Sequence, residues 1–178
     1  MTISAPGRPE PSEYSPYFQR YIDRAADEAD VVAAMAAQTN ELQALLGSLS
    51  EEQAGRRYAE GKWSVRELLG HVADAERVFA YRIMCIARGE TQSLAGFDEK
   101  VYAAASGAHG RTLPDLLGEF SEQRAANVRL LRSLTPEAWM RPGVADGNPV
   151  TPRATVYVML GHVRHHMAVL RERYLQAT

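Results

Sequence analysis

Three of the chain's five histidines, His162, His165 and His166, fall close together in the stretch VYVMLGHVRHHMAVLRERY (156–174). At about 100° per residue, His162 and His166 stand roughly 40° apart and one helical turn from each other, while His165 falls roughly 60° to the other side. Imidazoles spaced i,i+4 on a helix can close on one metal ion. Two ligands rarely suffice, so a third must come from another element. His71 is the candidate, because it lies beside the apolar stripe of its own segment just as the pair lies beside theirs. Three neutral imidazoles would leave a fourth position open, as catalytic zinc sites do. The spacing also fits a plainer reading, in which His71 is a hydrogen-bonded core histidine and the pair is coincidence. His109, in a Gly-flanked segment, reads as a solvated loop residue.

Two charges occupy positions where apolar residues belong. Glu76 falls inside the apolar face of the His71 segment, and Arg124 takes the slot between Phe120 and Val128. Desolvation costs several kcal/mol per ion, so each needs a partner. Glu76 and Arg124 are expected either to pair with one another or to face the cavity around a metal, which makes Glu76 a candidate catalytic carboxylate. Asp74, three residues after His71, points outward, yet it is the other candidate, since it could hold a ligating histidine from behind.

Helices must position these groups. The 156–174 stretch carries apolar residues at Val156, Leu160, Val163, Met167, Leu170 and Tyr174, the three-and-four spacing of one helix face. Thr151-Pro152 caps it. Earlier, Ser64 with Glu67 forms a capping box, with Trp63 placed to staple onto Leu68, and a helix runs from there to about residue 88. A first helix is expected as one run over 17–47, stopping at Gly47, and Ser50 to Gln53 is a small box opening a short turn. Residues 89–111 form a long connection with a helical turn around 98–105, and Thr112 opens a third long helix through Leu134. No strand is expected, and MRPGVADGNPV reads as an irregular loop. The fold class is therefore all-α, a four-helix bundle with long inter-helix connections. Residues 1–14, with three prolines, are expected to be an unanchored tail before a single domain over 15–178. The length of the second connection leaves open whether the second and third long helices are neighbours.

Composition narrows the function classes. A formal net charge of −2 gives no basic stripe for nucleic acid. The lone cysteine, Cys85, excludes an intramolecular disulfide framework. No basic region followed by an apolar stretch opens the chain, and no window is apolar enough to span a bilayer. A cytoplasmic setting is expected.

The pieces Trp63-Ser64 with Glu67, GHVADAE (70–76) and GHVRHH (161–166) together resemble the DinB superfamily, which includes the YfiT-like proteins. The resemblance runs over about residues 20–175. It implies a four-helix bundle, often a homodimer, with metal ligands at His71, His162 and His166 and no ligand role for His165. It also implies chemistry on a small-molecule substrate, either thiol S-transfer with a low-molecular-weight thiol as cosubstrate or hydrolysis. Zinc is the expected ion, and nickel would bind the same imidazoles more tightly. Two rival readings remain: a metal-binding or dimerising bundle with a structural or stress-response role and no turnover, and a metal-free helical interaction module.

Overall fold

The computed structural model of the protein describes residues 7–175. Its frame is four long helices, and short elements between them build the walls of a cavity. In chain order the helices are α1 (Gln19–Arg24), α2 (Val31–Leu46), α3 (Glu51–Gly55), α4 (Val65–Ala87), α5 (Glu99–Ala105), α6 (Leu113–Arg132), α7 (Pro136–Trp139) and α8 (Pro152–Val169). The long ones are α2, α4, α6 and α8.

The caps explain most boundaries. Ser64 Oγ accepts from Glu67 N while the Glu67 carboxylate accepts from Ser64 N at 2.7 Å, the reciprocal box expected at the start of α4. Ser50 with Gln53 does the same for α3, and Thr112 caps α6. The single run expected over 17–47 is instead two helices. The break spans residues 25–30: α1 ends at Arg24, and Asp30 opens α2 by accepting from Val32 N and Ala33 N at 3.0 and 2.9 Å. Apolar residues keep their spacing across the break, which is why periodicity alone misses it. The last turn of the fourth long helix also departs from α geometry, closing as a π-turn over Leu170–Tyr174.

Two further expectations are corrected. Within the irregular loop, β1 (Gly143–Ala145) and β2 (Asn148–Val150) pair antiparallel. The turn between them is Asp146-Gly147, both at positive φ (53° and 70°), the Asp-Gly signature of a tight hairpin. The tail expected over 1–14 is anchored in its described part. Pro11–Glu13 forms a 3-10 turn, Tyr14 is buried, and the Glu13 carboxylate accepts from Thr151 Oγ1 at 2.7 Å and pairs with Arg153. Thr151 thus caps α8 through Ala154 N and holds the N-terminal segment at once. Residues 1–6 of that tail lie outside the described residues.

Packing partners define an uncommon ring. Both α2 and α4 pack on α6 and on α8, so α2 and α4 sit on opposite corners. The second and third long helices are therefore neighbours despite the long connection. α4 and α8 run antiparallel, as the Tyr174 hydroxyl beyond the end of α8 donates to the Trp63 carbonyl before the start of α4, at 2.6 Å. No helix among the described residues is long and apolar enough to cross a membrane.

The core falls into two apolar clusters, one holding Met35, Phe79, Val128 and Leu160, the other Leu42, Val72, Phe120 and Val163. Between these clusters each long helix contributes polar atoms. Arg124 gives Glu76 two parallel hydrogen bonds of 2.9 Å and also donates to Gln38 Oε1 at 2.8 Å and to the Met35 carbonyl at 3.2 Å. Gln38 Nε2 donates to the Leu160 carbonyl at 2.9 Å, and Asn127 Nδ2 to Glu76. Of the two fates open to Glu76 and Arg124, the pairing is the one observed. The layer ties α2, α4, α6 and α8 together at one level.

Gly161 lets α1 lie directly on α8. A Cβ there would stand 1.9 Å from the Tyr21 carbonyl oxygen, a backbone atom that cannot swing aside. Gly161→Ala is expected to cost at least about 1–3 kcal/mol in urea unfolding. Gly118→Ala, on the exposed side of α6 with nothing near the added methyl, is expected to gain about 1 kcal/mol. Equal effects from the two would mean that α1 is not wedged against α8.

Candidate metal centre

His71 projects from α4, and His162 and His166 from adjacent turns of α8. The three Nε2 atoms converge: His162 Nε2 lies 3.1 Å from that of His71 and 3.1 Å from that of His166. Tetrahedral ligands at about 2.0–2.1 Å from zinc would sit about 3.3 Å apart. Hydrogen bonds among neutral rings satisfy this arrangement poorly, because each Nε2 carries either one proton or one lone pair. Three lone pairs facing a common point suit a cation. Among the described residues, these three histidines are the group of ligand-type side chains whose donor atoms lie within 4.8 Å of one another.

Aromatic packing, rather than hydrogen bonding from behind, sets the ring planes. The Trp63 indole lies against His71 at 4.8 Å, tilted by 36°. The rings of Tyr21 and Phe79 meet His162 edge-on at 5.3 and 6.0 Å. His166 packs on His165 at 5.1 Å, and its Nδ1 is buried without a hydrogen-bond partner. Trp63, expected as a helix staple, thus covers a site residue, a role that capping patterns do not reveal.

Burial keeps the imidazoles neutral. Desolvation lowers the His71 pKa to about 4, with the Glu99 charge opposing it, and holds His162 and His166 well below the usual histidine range. The Arg124 guanidinium in the polar layer adds to the depression at His162. Unfolded imidazoles titrate near 6.5. Between that pH and about 4 the unfolded chain binds more protons than the folded one, so metal-free stability is full above about 6.5 and falls as pH drops. Urea midpoints of metal-free protein across that window are expected to decline, and His71→Gln is expected to flatten the slope. A midpoint that rises on acidification would mean the rings are charged in the fold.

The site opens into a cavity of about 570 Å³, large enough for a small organic molecule. One wall comes from the N-terminal segment, through Tyr14, Tyr17 and Phe18, and another from the β-hairpin. His165, expected to point away, is half-buried beside Tyr21 and His166 and lines this cavity too. His109 is exposed, as expected, with Nδ1 3.4 Å from Ser64 Oγ.

The two carboxylates expected to act in catalysis do not line this cavity. Glu76 is 2 % exposed and fully engaged with Arg124 and Asn127. Asp74 pairs with Arg77 at 3.6 Å on the side of α4 that faces Glu119 and Arg111, and gives no support to His71. The carboxylates that do line the cavity are Glu99, at the start of α5, and Asp146, in the hairpin turn. Both lie in the connections, where helical periodicity carries no information about facing.

The model of the DinB superfamily matches residues 8–170, nearly the whole chain. The chain belongs to the DinB superfamily. A Bacillus licheniformis protein provisionally named a metal-dependent hydrolase is 30% identical over 136 residues, 73% of this chain and 75% of that protein. A similarly named Oceanobacillus iheyensis protein is 31% identical over 65 residues, which span 36% of this chain and 38% of the relative. In solved structures the fold is shared with YfiT from Bacillus subtilis, whose four-helix bundle topology is described as unusual. The TM-score is 0.74 at 21% identity, covering 80% of this chain and 82% of that one. A mycothiol-dependent maleylpyruvate isomerase superposes with a TM-score of 0.61 at 19% identity, covering 78% of this chain and 58% of the other.

Proposed function

We propose that this DinB protein is a metal-dependent enzyme that holds one divalent cation on His71, His162 and His166. It acts on a small electrophilic molecule, as a hydrolase or as a thiol S-transferase. The observation that carries the reading is the convergence of three neutral, buried Nε2 atoms on one point at the floor of a cavity. Zinc fits the donor set, and nickel would compete for it.

A divalent ion bound there would supply Lewis acidity, lowering the pKa of a bound water to about 7 or keeping a thiol as thiolate at neutral pH. The chain's own residues do the rest. The imidazoles stay unprotonated because they are buried, so they present lone pairs at any pH above the acid range. Trp63, Tyr21 and Phe79 fix the ring planes and keep water from their backs. Glu99 places a carboxylate on the wall of the same cavity, where a proton can be accepted. The hydrolase arm draws on the names of the relatives, and the thiol arm on the fold shared with a mycothiol-dependent isomerase.

The test compares metal-loaded and chelator-stripped protein, prepared without a histidine tag or nickel resin. The substrates are a panel of activated esters and amides, and bromobimane with a low-molecular-weight thiol. Turnover above background in one arm, lost on stripping and restored by zinc, is expected. Tight stoichiometric binding with no metal-dependent rate in either arm would instead favour a structural role for the ion.

A further inference from the structure

Two arginines are buried among the described residues, and their surroundings differ. Arg124 is 1 % exposed and has four hydrogen-bond acceptors, including both oxygens of Glu76. Arg82, on α4, is 6 % exposed, and among the described residues it forms no ion pair. One hydrogen bond leaves its guanidinium, from Nη2 to the Ala95 carbonyl at 2.9 Å. Its Nε is buried without a partner. A guanidinium carries five N–H donors, and a buried cation with no counter-ion costs several kcal/mol. One carbonyl does not offset that. A third arginine lining the cavity, Arg20, is exposed to solvent, lies over the Tyr17 and Tyr21 rings and donates from Nη2 to both hydroxyls.

Arg82 lines the same cavity as the three histidines. It stands eleven residues beyond His71, about 20° around the same helix, so it looks out from the same face three turns further along. The guanidinium carbon is 6.0 Å from the centre of the Phe79 ring, and that ring is 6.0 Å from His162. The Arg82 guanidinium carbon and the His162 ring are thus at most about 12 Å apart, with Phe79 in reach of both and Phe97 and Val158 also lining the cavity. Asp146, whose charge favours the cation, lies in the hairpin turn and makes no ion pair with it.

We infer that Arg82 binds a carboxylate of the substrate, so that the enzyme acts on small organic acids. The acid's apolar or aromatic body lies along Phe79 and its reacting group reaches the imidazoles. A carboxylate rather than a phosphate fits, because Arg82 is the buried cation of this cavity and the Glu99 and Asp146 carboxylates on the same lining would oppose a second negative charge. A phosphate dianion would need further donors. This assignment rests on the reading that the reacting group sits at the three histidines, yet the two can fail separately.

The experiment is titration calorimetry of the full chain with hexanoate and with hexanol, each on metal-loaded and metal-free protein. Zinc binding is measured in the same preparations. Hexanoate is expected to bind at least about tenfold more tightly than hexanol in both states of the protein. Arg82→Met, which keeps the length and apolar stem, is expected to bring the ratio to about one while leaving zinc affinity unchanged. Arg82→Lys should keep part of the preference, and the Arg82 Nε–H resonance should shift on adding hexanoate to the wild type. Equal affinities for acid and alcohol, a preference seen only with metal present, or one that survives in Arg82→Met would each overturn the assignment. So would no binding of hexanoate. Should Arg82→Met fail to fold, the wild-type ratio in metal-free protein and the resonance shift decide alone. Loss of zinc binding by the wild type would sink the metal reading without touching the acid-to-alcohol ratio.

Discussion

Replacing His162 with glutamine is expected to weaken zinc binding roughly a hundred- to a thousandfold. Binding free energies of about 10–16 kcal/mol shared among four ligands in zinc fingers correspond to about 2.5–4 kcal/mol for each. His162 is the informative position because its Nε2 lies 3.1 Å from both of the other two, so no pair that excludes it is as close-knit. His165→Gln is the control. It perturbs the same helix and cavity wall but removes no converging nitrogen. Competition with a chelating dye gives the affinities, and circular dichroism checks that the helices persist. Zinc is expected to raise the melting temperature of the wild type, and that increase should shrink in step, since ligand binding stabilises only the folded state. Unchanged affinity in His162→Gln would remove the basis for a three-histidine centre.

The second large effect lies in the polar layer. Arg124→Met is expected to cost about 3–5 kcal/mol, because it leaves the Glu76 carboxylate buried at 2 % exposure without its counter-ion. Glu76→Leu should cost a similar amount for the converse reason. The double variant Glu76→Leu/Arg124→Met is expected to recover most of the loss, as apolar side chains of similar volume need no partner. Urea unfolding of the four proteins gives the coupling energy directly. Additive losses in the double variant would mean that the two side chains are not acting as a pair.

The residues that are hardest to misplace on a helical wheel were the ones most legible from the sequence. His71, His162 and His166 each sit at the margin of a long apolar stripe, and the direction of a side chain on a long helix follows from residue number. The same arithmetic places Arg82 on the face of His71, a signal available in the sequence that passes unnoticed beside more conspicuous histidines. Asp74 and Glu76 pair with Arg77 and Arg124 and neither lines the cavity, since a charge on an apolar face or one turn from a histidine is satisfied as readily by an arginine. The cavity wall was least legible. Its residues come from the N-terminal segment, the start of α5 and the hairpin, whose positions depend on tertiary contacts such as Glu13 with Thr151 and Arg153. The break between α1 and α2 is hidden for a related reason, since Asp30 caps a new helix without disturbing the apolar spacing.

The attachment of Glu13 bears on how the protein should be produced. Residues that look dispensable at the start of the chain are fastened to the cap of α8, and Tyr14, Tyr17 and Phe18 follow directly as one side of the cavity. A shortened expression clone beginning at the first regular helix would keep the bundle and all three histidines, yet it would expose their chamber to bulk water. Its catalytic silence would then report a missing wall, not a missing activity.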